Sequence, residues 1–381
     1  MDNIKLLVVA DTYDPKVDGT LIFMKEFLHR AGSSFEVSLL VPKYRKVVPK
    51  TKYPATFIAP SRYFSLSGYP SMKMSFGNLR KIKKAVKEAD CLFVQGPALI
   101  SYLSMWYGRK YDKKVVFYTH VISWEVFAKF VPGFIKKIFF TFVKKLSIFL
   151  YNKCDEILVP YHGLVEHLKE EGVTAPMEVA KLGVDIKRFS PMKEKSAAKK
   201  RIGIHRSKTV IGYVGRLSRE KNIEVLVAAF KKLDEQEELM LLLVGDGEKE
   251  FKKELLLPPN CKVTGFVENV QDYLHAMDIF VMPSLTETTS LATLEAMSSG
   301  LPVIASKVGF IQKYIQKDHN GMFFAKNSAS MLAIKLEKLV NNVSLREELG
   351  RNARKTTAYS FSWERSINKI KRLILRVVLR E

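Results

Sequence analysis

The chain has 381 residues, of which 47% are hydrophobic, and this length is enough for one large or two ordinary domains with complete cores. Its formal net charge of +23 favours a phosphate-bearing partner, which includes nucleic acid, anionic lipid and a diphosphate substrate. Charge alone does not choose among these, and a lysine-rich solubilising surface has the same composition. The three cysteines lack metal-ligand or disulfide spacing and no signal-peptide pattern begins the sequence, so we expect a reducing, cytoplasmic compartment.

Apolar runs with strand character alternate with runs of helical periodicity, and the alternation occurs in two series. The first series contains the strand-like runs Ile4–Ala10, Glu36–Val41, Cys91–Gln95 and Val115–Thr119 and the helical runs Thr20–Arg30 and Leu79–Ala89. The second contains the strand-like runs Thr209–Val214, Met240–Val244, Cys261–Gly265, Ile279–Pro283 and Val303–Ser306 and the helical runs Ile223–Leu233 and Leu291–Ser299. This alternation predicts an α/β protein with two doubly wound, Rossmann-like domains.

The boundary between the domains is predicted within Ser190–Arg206, a segment rich in Lys, Ser and Ala. The first domain then covers residues 1–189, and the second covers residues 190–361. A final helix over residues 362–381 has apolar residues at helical spacing and is expected to pack back on the first domain. Ligands bind beyond the carboxyl ends of the strands in such sheets, so two domains facing a cleft would suit a donor and an acceptor.

Glu287 and Glu295 belong to the most specific motif of the chain. A predicted strand is followed by Glu287, by small hydroxyl residues and by a helix that carries Glu295 about two turns later. Free backbone amides at a helix start favour an anion, and here they belong to Thr289, Ser290 and Leu291. Two carboxylates beside an anion site are costly unless they accept hydrogen bonds from hydroxyl groups, and a sugar and a ribose would supply these. Solvated glutamates on an N-capped helix are the alternative, which the apolar neighbours of Glu295 disfavour.

Glycines and cations follow two further strands of the second series. Gly215 would let the backbone approach a ligand closely, and Arg216 and Lys221 together would neutralise a diphosphate. A surface turn with two solvated cations is the alternative. Gly245 lies in a tight strand–helix turn that is structural by default, although a role in shaping a base pocket stays open.

His120 and Gly19 follow strands of the first series. A lone histidine is more often structural than catalytic, but the position of His120 at a carboxyl strand end keeps an active-site role open. Gly19 belongs to a loop that resembles a phosphate-approach loop. A single glycine there falls far short of the dinucleotide-binding pattern G-x-G-x-x-G, which argues against a dinucleotide oxidoreductase.

The segment Phe134–Tyr151 is rich in aromatic residues and has lysine pairs at a spacing of eight residues. The lysines that this spacing is expected to place on one helix face are Lys136, Lys137, Lys144 and Lys145. Basic amphipathic helices with aromatic residues lie in membrane interfaces, and the basic helix that begins at Leu79 supports this interpretation. A core helix with a solvated lysine edge is the alternative.

Together these residues resemble glycosyltransferase family 4, a branch of the GT-B fold. Glu287 and Glu295 are similar to the E-x7-E pair of the family, and Arg216 and Lys221 resemble its phosphate-binding pair. His120 matches its active-site histidine. The resemblance extends over nearly the whole chain.

Two segments, Leu66–Met74 and Tyr118–Ala128, are similar to the sulfolipid and glycosyl-diacylglycerol synthases of that family. The chain also departs from the family pattern. Its first loop has the single glycine Gly19 where two are usual, and Phe310 stands where a second glycine is common. Glu125 takes the place of an aspartate that often follows the histidine.

The resemblance implies a retaining glycosyltransferase that moves a hexose from a nucleoside-diphosphate sugar, such as a UDP-sugar. It implies no cofactor and no essential metal, and no paired-aspartate metal motif follows a strand. Arg216 and Lys221, with the amides at the helix start, would stabilise the departing diphosphate. Glu287 would hold the sugar, Glu295 the ribose, and His120 would hydrogen-bond the sugar near the reacting carbon.

The expected acceptor is a glycerolipid or a polyprenyl-linked glycan, reached from the cytoplasmic face of an anionic membrane. An acceptor that is soluble or a polysaccharide is the alternative within this activity. A non-catalytic phosphate- or nucleic-acid-binding protein would use the positive charge but leave the two glutamates unexplained. A catalytically silent regulator of the same fold and a sugar-nucleotide epimerase complete the alternatives.

Overall fold

The computed structural model describes residues 4–15, 18–44, 50–66, 69–96, 98–120, 122, 124, 133–233 and 236–379. Contacts within the chain define two compact units, one comprising Met1–Lys181 and Glu364–Glu381 and the other comprising Leu182–Trp363. The predicted boundary at residues 189 and 190 lies inside the second unit. Among the described residues, no helix is both long and apolar enough to cross a membrane.

The first unit is built on a parallel sheet. Its strands are β1 (Lys5–Ala10), β2 (Glu36–Pro42), β3 (Ala55–Ile58), β4 (Pro60–Leu66), β5 (Tyr69–Met72), β6 (Cys91–Gln95), β7 (Lys114–Tyr118), β8 (Glu156–Val159) and β9 (Met177–Val179). Over the described ranges, the sheet order is β3-β2-β1-β6-β7-β8-β9, and β4 and β5 form a separate antiparallel pair. Every residue of β6 is buried, which is typical of a parallel strand covered by helices on both faces.

Helices cover both faces of this sheet. They are α1 (Gly19–Ala31), α2 (Phe76–Glu88), α3 (Leu99–Lys110), α4 (Gly133–Tyr151) and α5 (His162–Glu170). Helix α1 begins where the Asp18 carboxylate accepts a hydrogen bond from the amide of Leu21, 2.9 Å away.

Asp11 fixes the start of α3 from the carboxyl end of β1. Its carboxylate accepts hydrogen bonds from the amides of Ala98, Ile100 and Ser101 at 3.0, 3.0 and 3.4 Å. These are among the amides that a helix start leaves without internal partners, and Ala98, the residue at the N-cap position, has no side-chain oxygen to serve them. Burial raises the pKa of Asp11, and these hydrogen bonds oppose that shift.

The second unit also has a parallel sheet. Its strands are β10 (Thr209–Val214), β11 (Leu239–Val244), β12 (Cys261–Val263), β13 (Ile279–Met282), β14 (Val303–Ser306) and β15 (Gly321–Phe324). Its helices are α6 (Lys195–Arg201), α7 (Ile223–Phe230), α8 (Lys249–Glu254), α9 (Val270–Ala276), α10 (Leu291–Ser298), α11 (Ile311–Tyr314), α12 (Ala329–Val340) and α13 (Val343–Ser360). The sheet order in the described part is β12-β11-β10-β13-β14-β15. Its order reverses between β10 and β13, where ligands commonly bind such sheets.

The segment Ser190–Arg206 is not the bare linker that its composition predicts, because it contains α6. Lys199 on this helix is buried, and its ammonium lies 2.7 Å from the Asp278 carboxylate, just before β13. It also donates to the carbonyl of Lys208 at 2.8 Å. These bonds attach the segment to the second sheet, which explains why it belongs to the second unit.

The last helix, α14 (Trp363–Leu379), returns to the first unit. Its apolar face buries Ile367, Ile370 and Ile374. Arg376 lies 2.9 Å from the Glu156 carboxylate in β8 and 3.4 Å from that of Glu178 in β9. The side chain of Glu156 is 2% exposed, so Arg376 is the counter-ion of a buried charge.

Replacing Arg376 by Met should destabilise the protein by about 3 kcal/mol, because Glu156 then remains buried without its counter-ion. The double variant E156Q/R376M should recover part of this loss. Urea unfolding measures both. The matched control is Lys369→Met, which removes the more exposed pair with Glu178 and should cost at most about 1 kcal/mol. Equal losses for R376M and K369M would contradict this account.

Candidate active site

The turns that follow β10 and β11 approach each other so closely that glycine is required. A Cβ atom on Gly245 would lie 1.9 Å from the carbonyl oxygen of Gly215, and Gly245 has a φ of +139°. The amide of Gly215 donates to the carbonyl of Val244 at 2.9 Å, which holds the two turns together. Gly215 and Gly245 therefore share one edge of the second sheet, where the sequence predicts a diphosphate site.

Lys221 and Glu287 meet at this edge. The Lys221 ammonium lies 2.5 Å from one carboxylate oxygen of Glu287, and both side chains are largely buried. The Ser284 hydroxyl donates to the same oxygen at 2.9 Å. The sequence predicts Lys221 on a phosphate and Glu287 on a sugar, so their direct pairing is a contact that sequence analysis missed.

Two hydrogen bonds join the loop that carries Lys221 to the loop that carries Glu287. The amide of Leu285 donates to the carbonyl of Glu220 at 2.9 Å. The side-chain amide of Asn222 donates to the carbonyl of Pro283 at 3.2 Å, and Asn222 is buried with a left-handed φ of 55°. Asn222 and Ser284 are thus supporting residues. Asn222 directly follows Lys221 and Ser284 lies three residues before Glu287, and this proximity is the sequence signal for them.

A third segment, the turn that follows β14, supports the loop that carries Glu287. A Cβ atom on Gly309 would lie 1.6 Å from the carbonyl oxygen of Glu287, so no side chain fits there. The next amide, of Phe310, donates to the carbonyl of Thr288 at 2.8 Å. Phe310 is buried, and its ring packs edge-on against Tyr314 and Phe361. The departure from the family pattern at this position is a core residue.

The start of α10 contains the predicted amides. Ser290 is its N-cap, and its hydroxyl accepts a hydrogen bond from the amide of Thr293 at 3.4 Å. Leu291 is the first residue of the helix. The Thr289 carbonyl accepts from the Tyr314 hydroxyl at 2.7 Å, whereas the Thr289 hydroxyl is buried without a hydrogen-bond partner. A buried hydroxyl of this kind is available to a ligand.

Glu295 lies on α10 in a different electrostatic environment from Glu287. Burial raises the pKa of Glu295 to about 7, and the Arg188 guanidinium opposes the shift. A carboxyl group with this pKa both donates and accepts hydrogen bonds near neutral pH. This property suits a group that binds the hydroxyls of a ribose.

Arg216, the other predicted phosphate ligand, is exposed beyond β10. Its carbonyl accepts a hydrogen bond from the Tyr213 hydroxyl at 2.9 Å, which fixes the backbone of the turn. The structure therefore gathers Gly215, Gly245, Lys221 and Glu287 at one edge, with the Arg216 backbone held beside them.

His120 and Gly19 lie in the first unit. Burial lowers the pKa of His120 to about 3, so its imidazole is neutral at physiological pH. Its ring lies 5.0 Å from that of Phe23 and 4.6 Å from that of Tyr118, and its Nε2 atom is buried without a hydrogen-bond partner. Gly19 is the first residue of α1. Glu125 lies outside the described residues.

Replacing Glu295 by Gln should change the pH dependence of stability. Because the folded protein holds the proton more tightly, the stability due to neutral Glu295 is complete below the usual pKa of 4.5 and is lost as the pH rises through about 7. The variant lacks this loss, so its stability relative to the parent should increase with pH by at most about 3 kcal/mol. Urea unfolding from pH 4 to 8 measures it, with the exposed Glu348→Gln as control. A pH-independent difference would contradict the assignment.

Comparison with known proteins identifies the family of the chain. Residues 194–356 match the family model of the glycosyl transferases group 1, and residues 20–188 match that of Glycosyltransferase Family 4. A sulfoquinovosyl transferase of Arabidopsis thaliana is 28% identical over 85% of this chain, and the match spans 64% of that relative, which is just under two thirds.

A UDP-Gal:alpha-D-GlcNAc-diphosphoundecaprenol alpha-1,3-galactosyltransferase of Escherichia coli is 28% identical over 62% of this chain and 64% of its own. The crystal structure of HepE from Anabaena in complex with UDP-glucose has a TM-score of 0.77 at 17% identity, covering 98% of this chain and 99% of that chain. The two family matches together account for most of the chain. The chain belongs to glycosyltransferase family 4 and has the GT-B fold.

Proposed function

We propose that the protein is a retaining glycosyltransferase that moves a hexose from a nucleoside-diphosphate sugar to a membrane-associated acceptor, without an essential metal. The observation that carries the proposal is the meeting of Lys221 and Glu287 at the carboxyl edge of the second sheet, the edge that also holds the turn of Gly215. One cation for a diphosphate and one carboxylate for sugar hydroxyls are the groups that a sugar nucleotide needs. HepE, which has this fold, binds UDP-glucose, so a UDP-sugar is the first donor to test.

In the proposed reaction, the bond between the anomeric carbon and the diphosphate oxygen breaks, and a bond to the acceptor oxygen forms on the same face of the sugar. Negative charge develops on the departing diphosphate, and one of its oxygens accepts the proton that the acceptor hydroxyl loses. Lys221 and Arg216, with the amides that begin α10, stabilise that charge. Glu287 orients the sugar, and Glu295 binds the ribose.

In the first unit, we propose that neutral His120 binds a substrate hydroxyl. Its Nε2 atom is buried without a partner, and an unsatisfied polar atom is costly for a folded protein to retain. The imidazole stays uncharged at physiological pH, so a neutral hydroxyl matches it better than a phosphate does. Gly19, at the start of α1, would let a substrate approach the same region of the first unit.

A lipid acceptor is supported by an exposed apolar surface on α3 and α4, which we call the aromatic face. The side chains of Ile138, Phe142 and Phe149 on α4 are 74, 63 and 46% exposed, and that of Trp106 on α3 is 47% exposed. The Trp106 and Phe149 rings lie 6.2 Å apart, so the two helices form one continuous surface. Leu99, one heptad before Trp106, extends it.

The aromatic face is bordered by positive charge. Neither α3 nor α4 contains an Asp or Glu residue, Lys145 and Lys110 are exposed, and the Lys153 ammonium lies 4.9 Å from the centre of the Phe149 ring. Exposed aromatic side chains with basic neighbours fit the interface of an anionic bilayer. The galactosyltransferase relative, whose name states an undecaprenol-linked acceptor, is consistent with such a location.

The four lysines predicted to share one face of α4 do not all do so. Lys144 is partly buried and forms an ion pair with Glu171, whereas Lys145 is exposed. Adjacent residues on a helix point about 100° apart, so a pair of lysines spreads over two faces. The side chains of Lys136 and Lys137 lie outside the described part of the structure.

Replacing Lys221 by Met should reduce sugar transfer or donor hydrolysis about 100-fold or more, because the leaving diphosphate loses a positioned cation. Release of nucleoside diphosphate from a panel of UDP-, GDP- and ADP-hexoses, with lipid extract as the acceptor source, measures this. Lys232→Met, an exposed lysine of the same unit, should retain activity. Normal turnover in K221M, with the parent active, would contradict the assignment.

The double variant F142S/F149S should bind vesicles that contain phosphatidylglycerol about tenfold more weakly than the parent, because two exposed rings no longer enter the interface. Co-sedimentation at low and high salt measures the binding. The control is Leu256→Ser, an exposed apolar residue of the second unit, which should bind as the parent does. Parental binding by F142S/F149S, or no binding by the parent at either salt concentration, would refute the membrane assignment.

A further inference from the structure

The ion pair of Lys221 and Glu287 has a consequence for which nucleotides the donor site retains. The ammonium and the carboxylate are 2.5 Å apart, and both side chains are largely buried. We propose that this pair is a specificity device, by which the site favours a complete sugar nucleotide over the nucleoside diphosphate that remains after transfer. This inference rests on the proposed function, since it requires Lys221 to bind the donor diphosphate and Glu287 its sugar.

A diphosphate reaches the Lys221 ammonium only in competition with the Glu287 carboxylate. When a phosphate oxygen takes the place of that carboxylate, Glu287 loses its counter-ion while it stays largely buried, and among the described residues only the Ser284 hydroxyl still donates a hydrogen bond to it. A buried charge without adequate partners is strongly unfavourable. Part of the binding energy of any diphosphate is therefore consumed in separating the pair.

The sugar of a complete donor offsets this cost, because its hydroxyls donate hydrogen bonds to the released carboxylate. A nucleoside diphosphate has no sugar at that position and leaves Glu287 unsatisfied. After transfer, Glu287 therefore returns to Lys221 and displaces the product. The pair favours donor capture and product release by the same exchange.

The loop that carries Glu287 is anchored, so the exchange takes place between side chains. The amide of Leu285 donates a hydrogen bond to the carbonyl of Glu220, and the backbone of Glu287 contacts Gly309. Tyr213 and Tyr314 lie near the Glu287 carboxylate. Burial raises the pKa of both hydroxyls, and the negative charge of Glu287 raises it further. A carboxylate on an anchored loop cannot move out to solvent when its partner leaves.

The test is a double-mutant cycle with inorganic pyrophosphate and UDP as probes, measured by calorimetry at low salt. E287Q should bind both probes about tenfold more tightly than the parent, because Lys221 no longer has a competing carboxylate. The gain should disappear when the same substitution is made in a K221M background. The matched control is E220Q, which removes the same charge from an exposed residue of the neighbouring turn and should change affinity less than twofold.

Three outcomes overturn the inference. Parental affinity in E287Q, or a gain in E287Q that persists in the K221M background, shows that Glu287 does not compete for Lys221. An equal gain in E220Q assigns the effect to net charge. If one of these three outcomes is obtained while K221M abolishes transfer, the ion-pair inference fails and the proposed function stands. If the parent and E287Q bind neither pyrophosphate nor UDP, the proposed donor site fails with it.

Discussion

The position of the Glu287 carboxylate depends on a backbone contact at residue 309. No side chain fits on Gly309, because the carbonyl oxygen of Glu287 occupies the space that a Cβ atom would need. Phe310 continues this contact through its bond to Thr288, and its ring is held in the core by Tyr314. The loop after β13 is thus fixed by the turn after β14, its neighbour in the sheet. Close approach of two strand-end turns, rather than any long-range charge, sets the geometry of the site.

The two glutamates of the E-x7-E pair lie in unlike environments, and this difference gives them different chemistry. Glu287 has a cation and a hydroxyl as direct partners. Burial raises the pKa of Glu295 to about 7, and the Arg188 guanidinium opposes this shift. Glu287 forms an ion pair, whereas Glu295 can change its protonation state near neutral pH. Identical side chains on one motif therefore have different electrostatic properties, which the spacing alone does not reveal.

The sequence predicts those parts of the fold that depend on local patterns. The strands Cys91–Gln95 and Val303–Ser306 have the predicted bounds because apolar runs between turns determine them. In the two parallel sheets, four strands are missing from the prediction, since short strands give weak periodicity; they are β3, β8, β9 and β15. The pairing of Lys221 with Glu287 joins residues 66 positions apart, so no local pattern contains it. The attachment of α6 through Lys199 and Asp278 was hidden for the same reason, and composition alone made that segment resemble a linker.

Asp11 connects the two regions of the first unit for which we propose a function. Its carboxylate, at the carboxyl end of β1, holds the first amides of α3, and α3 contributes Leu99 and Trp106 to the aromatic face. The same edge of the sheet carries His120, two residues beyond β7. A bilayer that bound the aromatic face would therefore contact α3. The first amides of this helix are hydrogen-bonded to Asp11, at the edge of the sheet where we propose that the substrate hydroxyl binds. The Asp11 carboxylate stabilises this connection, because its loss would leave three helix amides without partners at once.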